Sequence, residues 1–196
     1  MFIELTDHLR CPAGHPESFL VLIPDAMDAR RVRAGLLGCP ACGAEYRIVD
    51  GVVEFGDVPA MAAASGAAPP PPEGLVALLG IEGPGGYVAL IGDAANQARA
   101  LGAVLPGVHL VLVNPPPGAA AVAGTSTLRS PRLPLKARSM RGVVLGDPAA
   151  ESAEWRTDAI GAALPGRHVV GTGPAPALED FELLGSAAGW WVGRRK

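Results

Sequence analysis

Four residues near the start of the chain have the types and spacing of a soft-metal site. Cys11-Pro-Ala-Gly-His15 and Cys39-Pro-Ala-Cys42 are two short turns, each offering a pair of thiolate or imidazole donors, with residues 16–38 between them. Three thiolates and one imidazole suit tetrahedral zinc, and four protein ligands leave no open position for catalysis. Gly14, Ala41 and Gly43 are small enough for backbone N–H groups to turn toward the sulfurs. A segment of fewer than about 60 residues has little core of its own, so a metal crosslink there has a physical purpose. His15 has the better spacing for the fourth ligand, and His8 is the alternative. A redox C-x-x-C is the competing reading of Cys39 and Cys42, but that motif belongs at a strand-to-helix junction in a βαβ unit.

A second candidate site lies further on. The apolar run 87–91 is followed by Gly92-Asp93-Ala94-Ala95-Asn96, and the run 108–114 ends at Asn114 before Pro115. A glycine-rich turn after a first strand lets backbone approach a bound cofactor, and an acid ending the second strand binds ribose hydroxyls. In its order of elements this half of the chain resembles a class I S-adenosylmethionine-dependent methyltransferase, and against the turn and the acid that this resemblance implies, only Gly92 remains of a multi-glycine loop and Asn114 stands where the carboxylate would be. An amide accepts one ribose hydrogen bond but is a poorer bidentate acceptor. Gly92, Asp93 and Asn114 thus form a divergent cofactor pocket on one reading. On the other they are a strand-end turn, a helix N-cap and a strand cap before the prolines, and this second reading is favoured. Asp147, ahead of Pro148, reads as a helix cap rather than a base.

These residues need elements to hold them. The 196-residue chain is 49% hydrophobic and 18% charged, a core-forming composition that excludes wholesale disorder. With a net charge of −3 it has no global basic field for nucleic acid. Three cysteines, two in a C-x-x-C, argue against a disulfide framework. No apolar run is long enough for a signal peptide or a membrane span, so a cytoplasmic setting is expected. The chain changes character near residue 57, and the division expected is a β-rich unit over 1–57, an Ala/Pro-rich linker over 58–73 and an α/β domain over 74–196. The prolines at 69–72 favour polyproline II, and the Ala-rich stretch before them could form a short helix.

Val- and Leu-rich runs at 87–91, 108–114, 141–147 and 167–173 predict strands, with further short strands expected at 125–128 and 190–194. Residues 73–79, 94–104, 148–164 and 178–187 predict helices, giving a mostly parallel sheet with helices on both faces. Arg30, Arg31 and Arg33 read as a solvated helix face between the two turns rather than an RNA contact. Trp190 and Trp191 must face opposite sides of their strand.

The first 56 residues carry a resemblance. LTDHLRCPAGH, with GLLGCPACGAEYRIVDGVVEF after it, resembles the zinc-ribbon family of the tRNA methyltransferase activator subunit. The segment Tyr46-Arg47-Ile48-Val49-Asp50-Gly51-Val52 is similar to the family's "YPI-DGI" ending, with Arg47 where proline is usual. Cys11-x-x-x-His15 replaces the usual first C-x-x-C. The resemblance implies a small β-rich zinc ribbon associated with methyltransferase modules, and a protein partner such as a methyltransferase or a translation-related factor. The second half resembles, in its order of elements, a class I S-adenosylmethionine-dependent methyltransferase. The stretch 133–146 and the turn Leu164-Pro165-Gly166-Arg167 look like that family's regions before and after its fourth strand. This resemblance implies S-adenosylmethionine as cofactor. The segment is short for the family and is expected to lack one strand of its terminal antiparallel hairpin.

Overall fold

A computed structural model gives the fold and describes residues 1–58, 67–119, 122 and 124–196. Eleven strands form a single sheet in the order β1-β2-β3-β4-β7-β6-β5-β8-β9-β11-β10. The strands are β1 (Val21–Asp28), β2 (Arg31–Gly38), β3 (Glu45–Val49), β4 (Val52–Glu54), β5 (Tyr87–Ile91), β6 (His109–Val113), β7 (Thr125–Arg129), β8 (Gly142–Leu145), β9 (His168–Thr172), β10 (Phe181–Ala187) and β11 (Trp190–Arg195). The helices are α1 (Pro72–Leu79), α2 (Ala98–Val104) and α3 (Ala153–Ala162).

The centre of the sheet is parallel because its strands are apolar on both sides and need cover on both. Val88, Leu90, Leu110, Leu112, Val144 and Val170 face α1 and α2, which contribute Leu75, Leu79, Ala98 and Leu101. Ala89, Ile91, Val111, Val113, Val143, Leu145 and Val169 face the other way, toward Ala159 and Ile160 of α3 and toward Leu5 and Leu9. Numbered from β5, the order of the second half is 3-2-1-4-5-7-6, with the last strand, β11, antiparallel to β9. This is a Rossmann-like sheet with the strand arrangement of the class I methyltransferase fold.

Strands β1 to β4 make an antiparallel meander, and β4 joins the parallel sheet at β7 through the pairs Val52↔Thr127, Val53↔Leu128 and Glu54↔Arg129. The two ends of the chain therefore share one core: Leu37, Ile48, Val53 and Phe55 lie in the same buried cluster as Val111, Leu128 and Trp191. The first residues strengthen this junction. Phe2 N–H donates to Ser126 Oγ at 3.0 Å, and Leu9 forms an isolated bridge to Leu135.

Several expected elements differ. Residues 178–187 do not form a helix; β10 occupies Phe181–Ala187 and pairs with β11, so the terminal hairpin is complete. The Leu- and Glu-rich stretch is overridden by aromatic packing across glycines. The Trp191 ring occupies the space beside Gly171, and the Phe181 ring the space beside Gly193. Residues 94–104 divide into a 3-10 turn, Gly92–Gln97, followed by α2. Residues 148–164 likewise begin as a 3-10 turn, after which Ser152 caps α3 by accepting from Trp155 N–H. The helix expected between the two metal turns is instead the β1–β2 hairpin, with Arg31 and Arg33 on β2 and Arg30 just before it. Pro71 has the extended geometry expected of the proline run, with φ −59° and ψ 155°. The Ala-rich stretch at 59–66, where a short helix was an option, lies outside the described residues. Trp191 and Trp190 do pack on opposite faces of the sheet.

Candidate functional site

The two knuckles meet at one end of the β2–β3 hairpin. Cys39 and Cys42 sit in the turn between these strands, which closes with Gly43 N–H donating to Cys39 O at 2.9 Å and Gly43 at φ +72°. Cys11 and His15 come from the loop ahead of β1, which Cys11 N–H closes on itself by donating to Ser18 O at 3.2 Å. The ligand atoms of Cys11, His15, Cys39 and Cys42 all lie within 4.8 Å of one another. Cys11 and Cys39 are buried, His15 is half-buried and Cys42 is exposed.

The spacing can be tested against a tetrahedron. Bond lengths of about 2.3 Å to sulfur and 2.0–2.1 Å to nitrogen require S···S edges of about 3.8 Å and S···N edges of about 3.5 Å. Cys11 Sγ is 3.8 Å from Cys42 Sγ, and Cys39 Sγ is 3.5 Å from His15 Nε2. The residues form a Cys3His cluster compatible with a metal ion. His15 Nδ1–H donates to the Pro16 carbonyl at 2.7 Å, which fixes the ring and leaves the Nε2 lone pair toward the sulfurs. That backbone hydrogen bond, with the neighbouring thiolates of Cys11 and Cys39, raises the His15 pKa. Burial pushes the Cys39 thiol up, but N–H groups of Cys42 and Ala41 and the hydrogen-bonding thiols Cys42 and Cys11 outweigh it and bring the pKa down to about 6. His8, the alternative ligand, packs against Tyr87 with the rings tilted at 50° and 4.4 Å between centres, and is outside the cluster.

Sequence reasoning missed Tyr46 at this site. Its hydroxyl lies 3.0 Å from Cys11 Sγ, while its ring packs on Phe55 at 4.9 Å. Burial, and then the hydrogen bond to Cys11, hold its pKa above the ordinary tyrosine range. The available signal was its position, four residues beyond Cys42.

The crevice above β5 and β8 is where an open α/β sheet ordinarily takes its ligand, because the chain leaves these neighbouring strands toward opposite faces. Gly92, Asp93 and Asn114 all lie at this end of the sheet, and all three are engaged internally. Asp93 N–H donates to the Asp147 carbonyl at 3.0 Å, and Asp93 Oδ1 accepts from Asp147 N–H at 2.8 Å. The loop after β5 is thus tied to the loop after β8. Gly92 takes φ +65° with its α-carbon against the Asp147 carbonyl, where a Cβ would collide. Asn114, 6% exposed, uses both halves of its amide on Ser130: Nδ2 donates to Ser130 O at 2.7 Å and Oδ1 accepts from Ser130 N at 2.8 Å. Asp93 therefore ties the two loops together, and Asn114 joins the ends of β6 and β7. Asp147 is also engaged, its Oδ1 accepting from Thr172 Oγ1 at 2.9 Å.

The remaining candidates are structural. Arg30 pairs with Glu4, and Arg31 donates to Thr125 O at 2.8 Å while lying over the Phe2 ring. Trp190 and Trp191 are at most 8% exposed and offer no stacking platform. No helix among the described residues is long and apolar enough to cross a membrane.

No family model matches the sequence, and no curated protein matches it. Among solved structures, it is similar to a protein described as a methyltransferase of an antibiotic biosynthesis pathway from Anabaena variabilis, with 16% identity over 52% of this chain and 43% of that one and a TM-score of 0.41. A protein described as a methyltransferase from Bacillus halodurans shares 12% identity over 56% of this chain and 53% of that one, with a TM-score of 0.41. The N-methyltransferase NodS from Bradyrhizobium japonicum shares 14% identity over 63% of this chain and 93% of that one, with a TM-score of 0.43. The chain thus spans about half the length of the first two, at 43% and 53%.

Proposed function

We propose that the chain is a zinc-binding, non-catalytic methyltransferase-like protein that acts as a binding or partner-stabilising module. The carrying observation is the tie between Asp93 and Asp147, which spends the polar groups of the two loops bordering the crevice on each other. Asn114 supports the same reading, since both polar ends of its side chain are used on Ser130. Zinc is the metal that fits three thiolates and one imidazole with S···S and S···N spacings of 3.8 and 3.5 Å. With all four positions filled by protein, such a site crosslinks and leaves no place for substrate. Its structural benefit falls on the β1–β4 meander, whose last strand completes the parallel sheet at β7. A separate protein partner, such as a methyltransferase or a translation-related factor, would then bind this finished scaffold.

A second reading, an active S-adenosylmethionine-dependent methyltransferase, is favoured by the 3-2-1-4-5-7-6 strand order and by Gly92 at positive φ. Calorimetric titration of the zinc-loaded protein with S-adenosylmethionine separates the two. The scaffold reading predicts no binding heat up to about 1 mM, a limit that corresponds to roughly 4 kcal/mol of affinity. Saturable micromolar binding, weakened by Asn114→Ala, would replace it with the enzyme reading.

A further inference from the structure

We propose that Tyr46 is a positioning residue of the metal centre, its hydroxyl donating to the Cys11 thiolate and so holding that sulfur as a zinc ligand. The inference rests on reading the Cys3His cluster as a zinc site and assigns a role to a residue outside the ligand set.

The two knuckles meet the charge on their sulfurs differently. The second is self-sufficient, because N–H groups of Ala41 and Cys42 within the same turn point at Cys39. In the first, Cys11 Sγ takes a hydrogen bond from a side chain 35 residues away, the Tyr46 hydroxyl at 3.0 Å. A zinc ion with three thiolates and a neutral imidazole carries a net charge of −1, and Cys11 is buried to 3% exposure. A buried anionic centre needs donors to its sulfurs, and such outer partners typically change metal affinity 10–100-fold. The tyrosine is held for this task. It lies one residue into β3, whose pairing with β2 runs through Leu37↔Tyr46, and its ring is braced against Phe55, itself only 4% exposed. Ring position is therefore set by the hydrophobic core, and the hydroxyl is aimed by it.

Tyr46→Phe removes the donor and keeps the ring. Zinc content, zinc affinity by chelator competition, and the order in which iodoacetamide alkylates the three cysteines would be measured on the full zinc-loaded chain. The expected result is about one zinc per chain in the wild type, an affinity at least about 10-fold weaker in Tyr46→Phe, and Cys11 moving ahead in the alkylation order. A shift in the sulfur-to-metal charge-transfer band of the cobalt-substituted variant would accompany these changes, and a merely packing role for the ring would not produce it. If the wild type holds zinc and Tyr46→Phe matches it in affinity, alkylation order and cobalt spectrum, the role of Tyr46 is overturned while the zinc reading stands. If the wild type holds no zinc, both fall.

Discussion

At the scale of single residues, the polar groups that end β5, β6 and β8 bond within the chain. Gly92 shows how tightly. A methyl group there would meet the Asp147 carbonyl at a φ of +65°. Gly92→Ala is expected to cost about 2–4 kcal/mol, combining left-handed strain with overpacking, and urea denaturation checks it. A cost below about 0.5 kcal/mol, the scale of an unconstrained surface change, would mean that the two loops are not in contact. His109 gives a pH dependence. Burial, then the charges of Arg31 and the N-terminus, lower its pKa to about 4, and its Nε2 lies 3.0 Å from Ser126 Oγ in the seam where Phe2 docks. Unfolded, it returns to about 6.5. Between pH 6.5 and 4 the unfolded chain binds the extra proton, so this contribution to stability is full above pH 6.5 and falls as the pH drops. Between pH 7 and 5, His109→Gln is expected to lose stability less steeply than the wild type, by about 1 kcal/mol after allowing for partial exposure. Parallel pH profiles of the two proteins would exclude His109 as the source.

At the scale of elements, legibility followed locality. The Cys3His cluster could be read because each knuckle carries its two donor residues within five positions. Strands β5, β6, β8 and β9 could be read because Val- and Leu-rich runs end at glycine or proline. The strand β10 was hidden because its local composition suits a helix, while the Gly193 gap for Phe181 and the pairing with β11 decide its conformation. The Asp93–Asp147 tie was hidden because its partners are 54 residues apart and meet only once the parallel strands are in register. The same holds for Tyr46, whose partner is 35 residues away. A metal ion bound at the cluster should matter most to the elements nearest it. Cys39→Ser is expected to lose amide-exchange protection first in β1, β2 and β3, with β5, β6 and β8 remaining protected. Uniform loss across all strands, or none, would show that the cluster does not crosslink the meander.

At the scale of the whole molecule, the central proposal is that a metal ion at the Cys3His cluster braces the sheet and that the loops tied through Asp93 and Asp147 take no cofactor. The tryptophans at 155, 190 and 191 all lie in the second half of the chain, whereas the cluster lies in the first. The shared core and the β4–β7 pairing connect the two. Thermal unfolding followed by tryptophan fluorescence tests this most directly, on zinc-loaded protein alone, with chelator, and with about 1 mM S-adenosylmethionine. A ligand bound with a Kd of about 10 μM would add about 2.7 kcal/mol at that concentration, raising the midpoint by roughly 5–10 °C for a chain of this size. The account predicts a lower midpoint with chelator and no change with S-adenosylmethionine. A midpoint raised by S-adenosylmethionine and indifferent to chelator would contradict it.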